Sequence, residues 1–151
     1  MAMKASTKKQ KIFSKGHLGI NLKSGKEEEL FKWFLACLLF GKPIQQEVAK
    51  RTYFEFEKEK ILSPEVILKT GWDKLVEILD RGHYVRYDFS TATKLLEISK
   101  ELKQRYGSLG NLLRQSKNQR DLETRLQEFK GIGPVTTRIF LREFKKMVKK
   151  P

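Results

Sequence analysis

Cysteine is almost absent from this chain, because Cys37 is the only thiol in 151 residues. A single thiol cannot form a disulfide within the chain, and it excludes an iron–sulfur cluster held by four cysteines. Histidine is also scarce, with only His17 and His83, so the sequence disfavours a zinc site. Cys37 lies in an apolar run, and we therefore expect a buried structural thiol rather than a nucleophile.

Long hydrophobic runs are missing as well. The most apolar stretch, from Phe31 to Phe40, is too short to span a bilayer and contains Lys32. No apolar stretch follows the lysine-rich start, as one would in a secretory signal. We therefore expect a cytoplasmic protein associated with the nucleoid. Hydrophobic residues make up 39% of the chain, which is enough for the core of about one domain.

Acidic residues are missing from positions 1–26, which contain seven lysines. Positions 142–151 are also basic, and these two ends carry eleven of the fourteen net positive charges. The ends are either solubilising tails or arms that contact phosphate, and the sequence leaves both interpretations open. The net charge of +14 predicts an acidic partner. Nucleic acid is the first candidate and an anionic membrane surface is the second. No helix pairs a lysine-rich face with a clean apolar one, so we expect no membrane partner.

Apolar periodicity predicts an all-α protein of roughly eight helices, with a basic N-terminal arm at 1–25 and a helical domain at 26–151. A helix that starts at Glu27 and ends at Gly41 is apolar almost all round, so it should be the central buried helix. Pro43 is expected to start the next helix. A fifth helix is predicted over about 91–106. Trp33 and Trp72 are both expected in the core.

The most informative stretch is the glycine-rich corner at 130–134, where one helix should end at Phe129 and another begin near Pro134. Gly131 and Gly133 allow backbone angles that other residues resist and let a phosphate approach the main chain. Ile132 should tuck between the two helices and fix the turn. The following helix directs its free amides and positive dipole end outward, where an anion is the natural ligand.

Several side chains and amides of this corner can hold phosphate. The amides expected to point outward are those of Gly131, Gly133 and Val135, whereas Pro134 has no N–H to donate. Thr136 and Thr137 can add hydroxyl donors, and Lys130 can contact phosphate or act as an amine nucleophile. The alternative is a plain glycine-rich connection between two helices.

A second candidate is the segment at 82–89, GHYVRYDF, where basic residues alternate with aromatic ones. Arg86 and its aromatic neighbours are suited to stacking on bases or to packing along phosphates. The alternative is a long loop held down by its own aromatic side chains. Asp88 is interpreted as a cap for the following helix, with a displaced catalytic acid as the weaker alternative.

These residues resemble the helix-hairpin-helix superfamily of DNA glycosylases, the endonuclease III-like repair enzymes. The corner carries most of the resemblance. Upstream, Phe34 to Lys42 is similar to the family's first barrel helix and loop, and Leu79 to Tyr84 with Ala92 and Lys94 is similar to its Gly-aromatic segment. The match covers roughly 27–147. It implies a helical bundle whose hairpin binds the backbone of duplex DNA beside a flipped nucleotide.

The resemblance also implies roles for individual residues. The amides of Gly131, Gly133 and Val135 would hold phosphate, and Lys42 would fill the gap left by a flipped base. A monovalent cation, Na⁺ or K⁺, would bind to the backbone carbonyls of Gln127, Phe129 and Ile132. No other cofactor is expected.

Three departures from the family bear on catalysis. Val135 occupies the position of the Schiff-base lysine, the position of the catalytic aspartate falls beyond Pro151, and the four-cysteine loop is missing. We therefore expect a monomeric protein of this base-excision-repair superfamily that binds the DNA backbone. The sequence leaves open whether it is an enzyme. The alternative is an active DNA glycosylase or AP lyase with non-standard catalytic residues.

Overall fold

A computed structural model describes residues 15–144, with side chains from His17 onward. Within this range the chain forms nine α-helices, two short 3₁₀ helices at Leu22–Ser24 and Val85–Tyr87, and no strand. The α-helices are α1 Lys15–Leu18, α2 Glu27–Phe40, α3 Gln46–Lys58, α4 Pro64–Thr70, α5 Trp72–Arg81, α6 Asp88–Arg105, α7 Leu109–Gln115, α8 Gln119–Gln127 and α9 Pro134–Arg142. The predicted all-α class is confirmed.

Helix α2 is the centre of the core, as its apolar sequence predicts. Every residue from Trp33 to Leu39 is buried, and α3, α7 and α9 pack around the helix. The indole N–H of Trp33 donates to the carbonyl of Phe140 at 3.2 Å, which joins α2 to α9. Cys37 is fully buried, and burial raises the pKa of its thiol well above the ordinary value. The thiol is therefore neutral and structural, as expected.

Helix α6 forms a second axis, against which α4 and α5 pack. Ser63 caps α4 as predicted, since its hydroxyl accepts the amide of Val66 at 3.1 Å. The segment between α5 and α6 is tied to α2 through Tyr84, whose ring is buried and whose hydroxyl donates to the carbonyl of Leu39. The long helix α6 is thus fixed beside the central one.

The predicted boundary of the N-terminal arm at residue 25 is wrong. Leu18, Ile20 and Leu22 are buried in the core, and the amide of Asn21 donates to Glu29 at 2.8 Å. These three apolar residues are spaced two apart among polar ones, so the segment has no helical periodicity in its sequence. The arm expectation for residues 1–14, and the basic cluster at 145–151, lie outside the described residues.

Other local predictions also need correction. Helix α3 begins at Gln46 rather than Pro43, because a tight turn in which Ile44 donates to Lys42 intervenes. Helix α6 begins at Asp88, three residues before its predicted start. Trp72 is 36% exposed and lies outside the core. Over the described residues, no helix is both long and apolar enough to cross a membrane.

Candidate functional site

The glycine-rich corner is longer than predicted, because α8 ends at Gln127 and six residues precede α9. Gly131 has φ of +97°, a region that favours glycine, whereas Gly133 has ordinary extended angles (φ −107°, ψ −169°). Ile132 is buried as expected, and its amide donates to the carbonyl of Phe129 at 3.1 Å. This bond and the buried side chain fix the turn.

The outer side of the corner carries unused donors. Among the described residues, the amides of Gly131, Gly133 and Val135 have no hydrogen-bond acceptor, while the amide between the two glycines is taken. Apart from its chain neighbours, no atom of the described residues lies within 4 Å of the place where a Cβ on Gly133 would stand, so solvent reaches this side of the main chain. Pro134 begins α9 and Val135 is 47% exposed. These features form a small surface of N–H groups that can accept an anion.

The corner is anchored from behind by α6. The guanidinium of Arg105 forms ion pairs with Glu101 and with Glu128, and it lies 5.6 Å from the ring centroid of Phe129. The Phe129 ring is itself buried and contacts the ring of Tyr106. These contacts hold the approach to the corner against the end of α6.

The two threonines after the corner point inward, contrary to the expectation of outward donors. The hydroxyl of Thr137 donates to the carbonyl of Gly133 at 2.9 Å, and the side chain is buried. Thr136 is buried against Gly41, where an added Cβ would stand 2.1 Å from the threonine oxygen. Both residues therefore pack α9 against the body, and neither hydroxyl lies on the outer surface.

A cleft of about 520 Å³ opens beside the corner. We call it the hairpin cleft, and its walls come from α6 on one side and the corner on the other. It is lined by Phe89, Ser90, Thr93, Lys94, Glu97, Lys130 and Gly131. Lys94 lies over Gly131, since an added Cβ on this glycine would stand 2.9 Å from Lys94 Cγ. Lys130, predicted from sequence, is thus joined by a lysine and a carboxylate of α6.

Lys42 and Arg86 both lie beside the ring of Tyr87. The Lys42 ammonium lies 5.1 Å from the centroid of the Tyr87 ring, and the Arg86 guanidinium lies 5.5 Å from it. Lys94 is half-buried, and this burial, with a smaller contribution from Lys42, lowers its pKa from 10.5 to about 8. The structure therefore brings Lys42 and Gly131 close to Lys94, a lysine that composition and periodicity did not single out, and it places Arg86 beside the same tyrosine ring as Lys42.

The aromatic residues of the segment at 82–89 divide between the two interpretations. Tyr84 is buried and anchors the segment, as the interpretation of a loop fixed by its own aromatic side chains predicts. Phe89 is 61% exposed at the edge of the hairpin cleft, 5.1 Å from the ring of Trp72, whose indole donates to Thr93. Both aromatic residues of this exposed pair are evident in the sequence, but Trp72 was expected in the core.

Asp88 is the first residue of α6, and its carboxylate accepts the amide of Phe89 at 2.6 Å. It also shares a hydrogen bond with Asp80, which raises the pKa of Asp80. Asp88 does not cap the helix in the N-cap position, which Tyr87 occupies. The two carboxyls lie together at the junction of α5 and α6, and neither lines the hairpin cleft.

Within the described range, several basic side chains around the corner form no ion pair, as is also true of some exposed lysines elsewhere, such as Lys69 and Lys100. Many lysines and arginines of the other faces are ion-paired, namely Lys32, Lys58, Lys74, Arg81, Lys103, Arg105 and Arg125. Among the described residues, Lys42, Lys94, Lys130 and Arg138 have no carboxylate partner within 4.0 Å. Arg138 is exposed one turn after Pro134, on the side of α9 that continues the corner. Arg138 is a candidate phosphate contact that was not predicted from the sequence.

The three backbone carbonyls expected to hold a monovalent cation lie in the same turn. The carbonyl of Phe129 accepts the amide of Ile132, so it offers a cation only its second lone pair. The carbonyls of Gln127 and Ile132 have no hydrogen-bond partner among the described residues. The donor set is hard oxygen, which suits Na⁺ or K⁺. In the described part of the chain, no group of three or more His, Cys, Asp or Glu side chains is placed to hold a metal ion.

Comparisons of the chain with protein-family models, with curated proteins and with solved structures found no match.

Proposed function

We propose that this chain is a DNA-binding protein that grips the phosphate backbone of duplex DNA at the corner, in the manner of the helix-hairpin-helix glycosylase superfamily. The observation that carries the proposal is the set of unused amides at Gly131, Gly133 and Val135 on an exposed, rigid turn. An amide that points at solvent beside a helix N-terminus is a ready donor to a phosphate oxygen.

The charges around the corner support the same ligand. Lys130 and Arg138 flank the amides without carboxylate partners among the described residues, so their charge is available to an external anion. Contacts of this kind act on phosphate and carry little sequence information. Affinity should therefore fall steeply with salt, with a slope of about −0.9 in log–log form for each neutralised phosphate. A flat salt response would count against DNA as the ligand.

Gly133→Asp is the sharpest test of the corner. The added side chain has open space and ordinary backbone angles, so the fold should tolerate it. Its carboxylate would stand where a phosphate oxygen is expected, and we predict an affinity loss of about tenfold or more. Gln104→Asp, at an exposed position about 15 Å along α6 from Lys94, makes the same change in net charge and serves as the control. Equal affinities of the two variants for duplex DNA would remove the corner from the interface.

A second candidate function is an active glycosylase or AP lyase with non-standard residues. The observation that favours it is Glu97, a carboxylate that lines the hairpin cleft together with Gly131. A carboxylate there could stabilise an oxocarbenium-like sugar or activate water. Duplexes that carry uracil, oxidised guanine, an alkylated purine or an abasic site should be incubated with excess protein. Cleavage that Glu97→Gln abolishes would support the enzyme, and intact duplexes would leave DNA binding as the function.

A further inference from the structure

Two ammonium groups meet beside the corner. Lys42 follows α2, where Gly41 packs against Thr136 of α9, and Lys94 belongs to α6. The charge of Lys42 lies close enough to Lys94 to help lower its pKa. The Lys42 ammonium is held over the Tyr87 ring, and the stem of Lys94 lies on Gly131, with its Cε 3.0 Å from the position of an added Cβ. The Lys94 ammonium is one bond further along, so it lies beside Gly131, whose amide is unused.

The pair has no counter-charge within the described residues. No carboxylate lies within 4.0 Å of either ammonium, and Glu97, which lines the same cleft, forms no ion pair with them. Lys130, on the other wall of the cleft, adds a third positive charge. Two like charges held together and partly removed from water repel one another, unless an anion lies between them. The neighbouring cation–π contact and the packed stem fix the geometry in spite of this repulsion.

We infer that Lys42 and Lys94 form a phosphate-binding subsite next to the corner, which holds a phosphate group of the strand gripped by the amides. The inference rests on the proposed function for the identity of the ligand. The shared chemistry is a phosphate bearing one charge in an internal diester or almost two at a strand end. The subsite extends the phosphate-binding surface from the amides of the corner to the lysine side chain of α6 that lies beside it.

The first experiment compares lysine variants on duplex DNA. Lys94→Met and Lys42→Met keep an unbranched stem and remove the charge, and each should weaken binding about three- to tenfold and reduce the salt slope by about 0.9. Lys100→Met is the control, because it removes one exposed lysine from the same helix, about 9 Å along its axis and on another face. If all three variants lower the slope equally, the pair contributes only general charge and the subsite is overturned.

A second experiment uses inorganic phosphate alone and does not depend on DNA. Protein labelled with ¹³C-lysine is titrated with base, and the Cε signals of Lys94 and Lys100 are followed at constant ionic strength, in chloride or in phosphate. A phosphate held by the pair stabilises the ammonium form, so the midpoint for Lys94 should rise in phosphate while that for Lys100 stays constant. If phosphate leaves the Lys94 midpoint unchanged, the subsite is overturned even where DNA binds. If Lys94 responds but no duplex binds, the proposed function fails and the subsite stands.

A third arm distinguishes the two sources of phosphate. Nicked duplexes with a 5′-phosphate or a 5′-hydroxyl at the nick are compared for wild type and Lys94→Met. A preference for the 5′-phosphate that is lost in the variant assigns the subsite to a strand end. Equal weakening on both duplexes assigns it to an internal diester. Unchanged binding of both duplexes by the variant would overturn the inference.

Discussion

The aliphatic stem of Lys94 lies directly on Gly131, so that a Cβ at position 131 would stand 2.9, 3.0 and 3.1 Å from its Cγ, Cε and Cδ. The two residues are far apart in sequence, and their contact brings α6 to the corner. Glycine is favoured at position 131 for two reasons. Its φ is +97°, and a Cβ there would press against the Lys94 side chain. The contact converts a turn between two helices into one wall of a cleft.

Replacement of the two glycines of the corner should have unequal effects on stability. Gly131→Ala must adopt a positive φ and push aside Lys94, so we expect a loss of about 1–3 kcal/mol in the free energy of unfolding. Gly133→Ala meets no atom within 4 Å and has allowed angles, so its stability should change by about 0.5 kcal/mol or less. Urea unfolding followed by circular dichroism measures both. Equal stabilities would contradict the geometry of the corner.

The low pKa of Lys94 predicts a pH dependence of stability. The folded protein releases this proton near pH 8, whereas the unfolded chain keeps it to about 10.5, so the unfolded state binds more protons between these values. Stability contributed by this group therefore rises as the pH increases through 8. The charged groups that face Lys94 are Lys42 and Lys130, with Glu97 on its own helix.

Lys94→Met isolates this effect. At pH 7 the variant no longer carries a half-buried charge, and allowing for solvent around the ammonium we expect it to be more stable than wild type by about 1 kcal/mol. The advantage should shrink by pH 9.5, when wild type has lost the proton. The measurement is urea unfolding of wild type, Lys94→Met and Lys100→Met at both pH values. A constant difference between wild type and Lys94→Met would show that Lys94 titrates normally.

Truncation should separate the basic start of the chain from the folded body. Removal of residues 1–25 deletes the buried side chains of Leu18, Ile20 and Leu22, and each such side chain stabilises the fold by about 1.5–3 kcal/mol. The summed loss is comparable to the whole stability of a small domain, so this variant should unfold or melt far below wild type. Removal of residues 1–14 leaves all the described contacts in place and should preserve the melting transition. Equal melting temperatures for the two truncations would show that residues 15–25 belong to the arm and do not stabilise the core.

The carboxylate of Glu27 should stabilise α7 from a distance in sequence. It accepts the amides of Leu109 and Gly110 at 2.7 and 3.0 Å, and so caps the N-terminus of that helix. Glu27→Gln keeps the shape but weakens both bonds, and we expect a loss of about 0.5–2 kcal/mol. Glu28→Gln, at the adjacent exposed position, is the matched control for charge and is expected to change the stability less. A smaller loss for Glu27→Gln than for its neighbour would rule out the cap.

The sequence anticipates those parts of the fold that depend on local pattern. Helix α2 is apolar all round and is buried, Ser63 and Pro64 start α4, and Pro134 starts α9, because periodicity and capping act over a few residues. The burial of Ile132 was also predictable, because it is the aliphatic residue between the two glycines of a short turn.

The remainder depends on contacts between distant residues. The position of Lys94 over Gly131 requires α6 to dock beside the corner, which no local pattern encodes. The inward direction of Thr136 likewise depends on Gly41 at the end of α2. Trp72 was expected in the core because it is large and apolar, but it stands at the surface where Phe89 provides its neighbour. Residues that shape the hairpin cleft were therefore the hardest to foresee.

The bond from the Ile132 amide to Phe129, together with the ion pairs of Arg105, means that the turn already has its final shape in the free protein. If the corner binds phosphate as proposed, little loop ordering would oppose the capture, because the free-energy cost of immobilising this backbone is met when the chain folds. The speed of association should accordingly follow charge and diffusion, with no slow rearrangement after the first encounter.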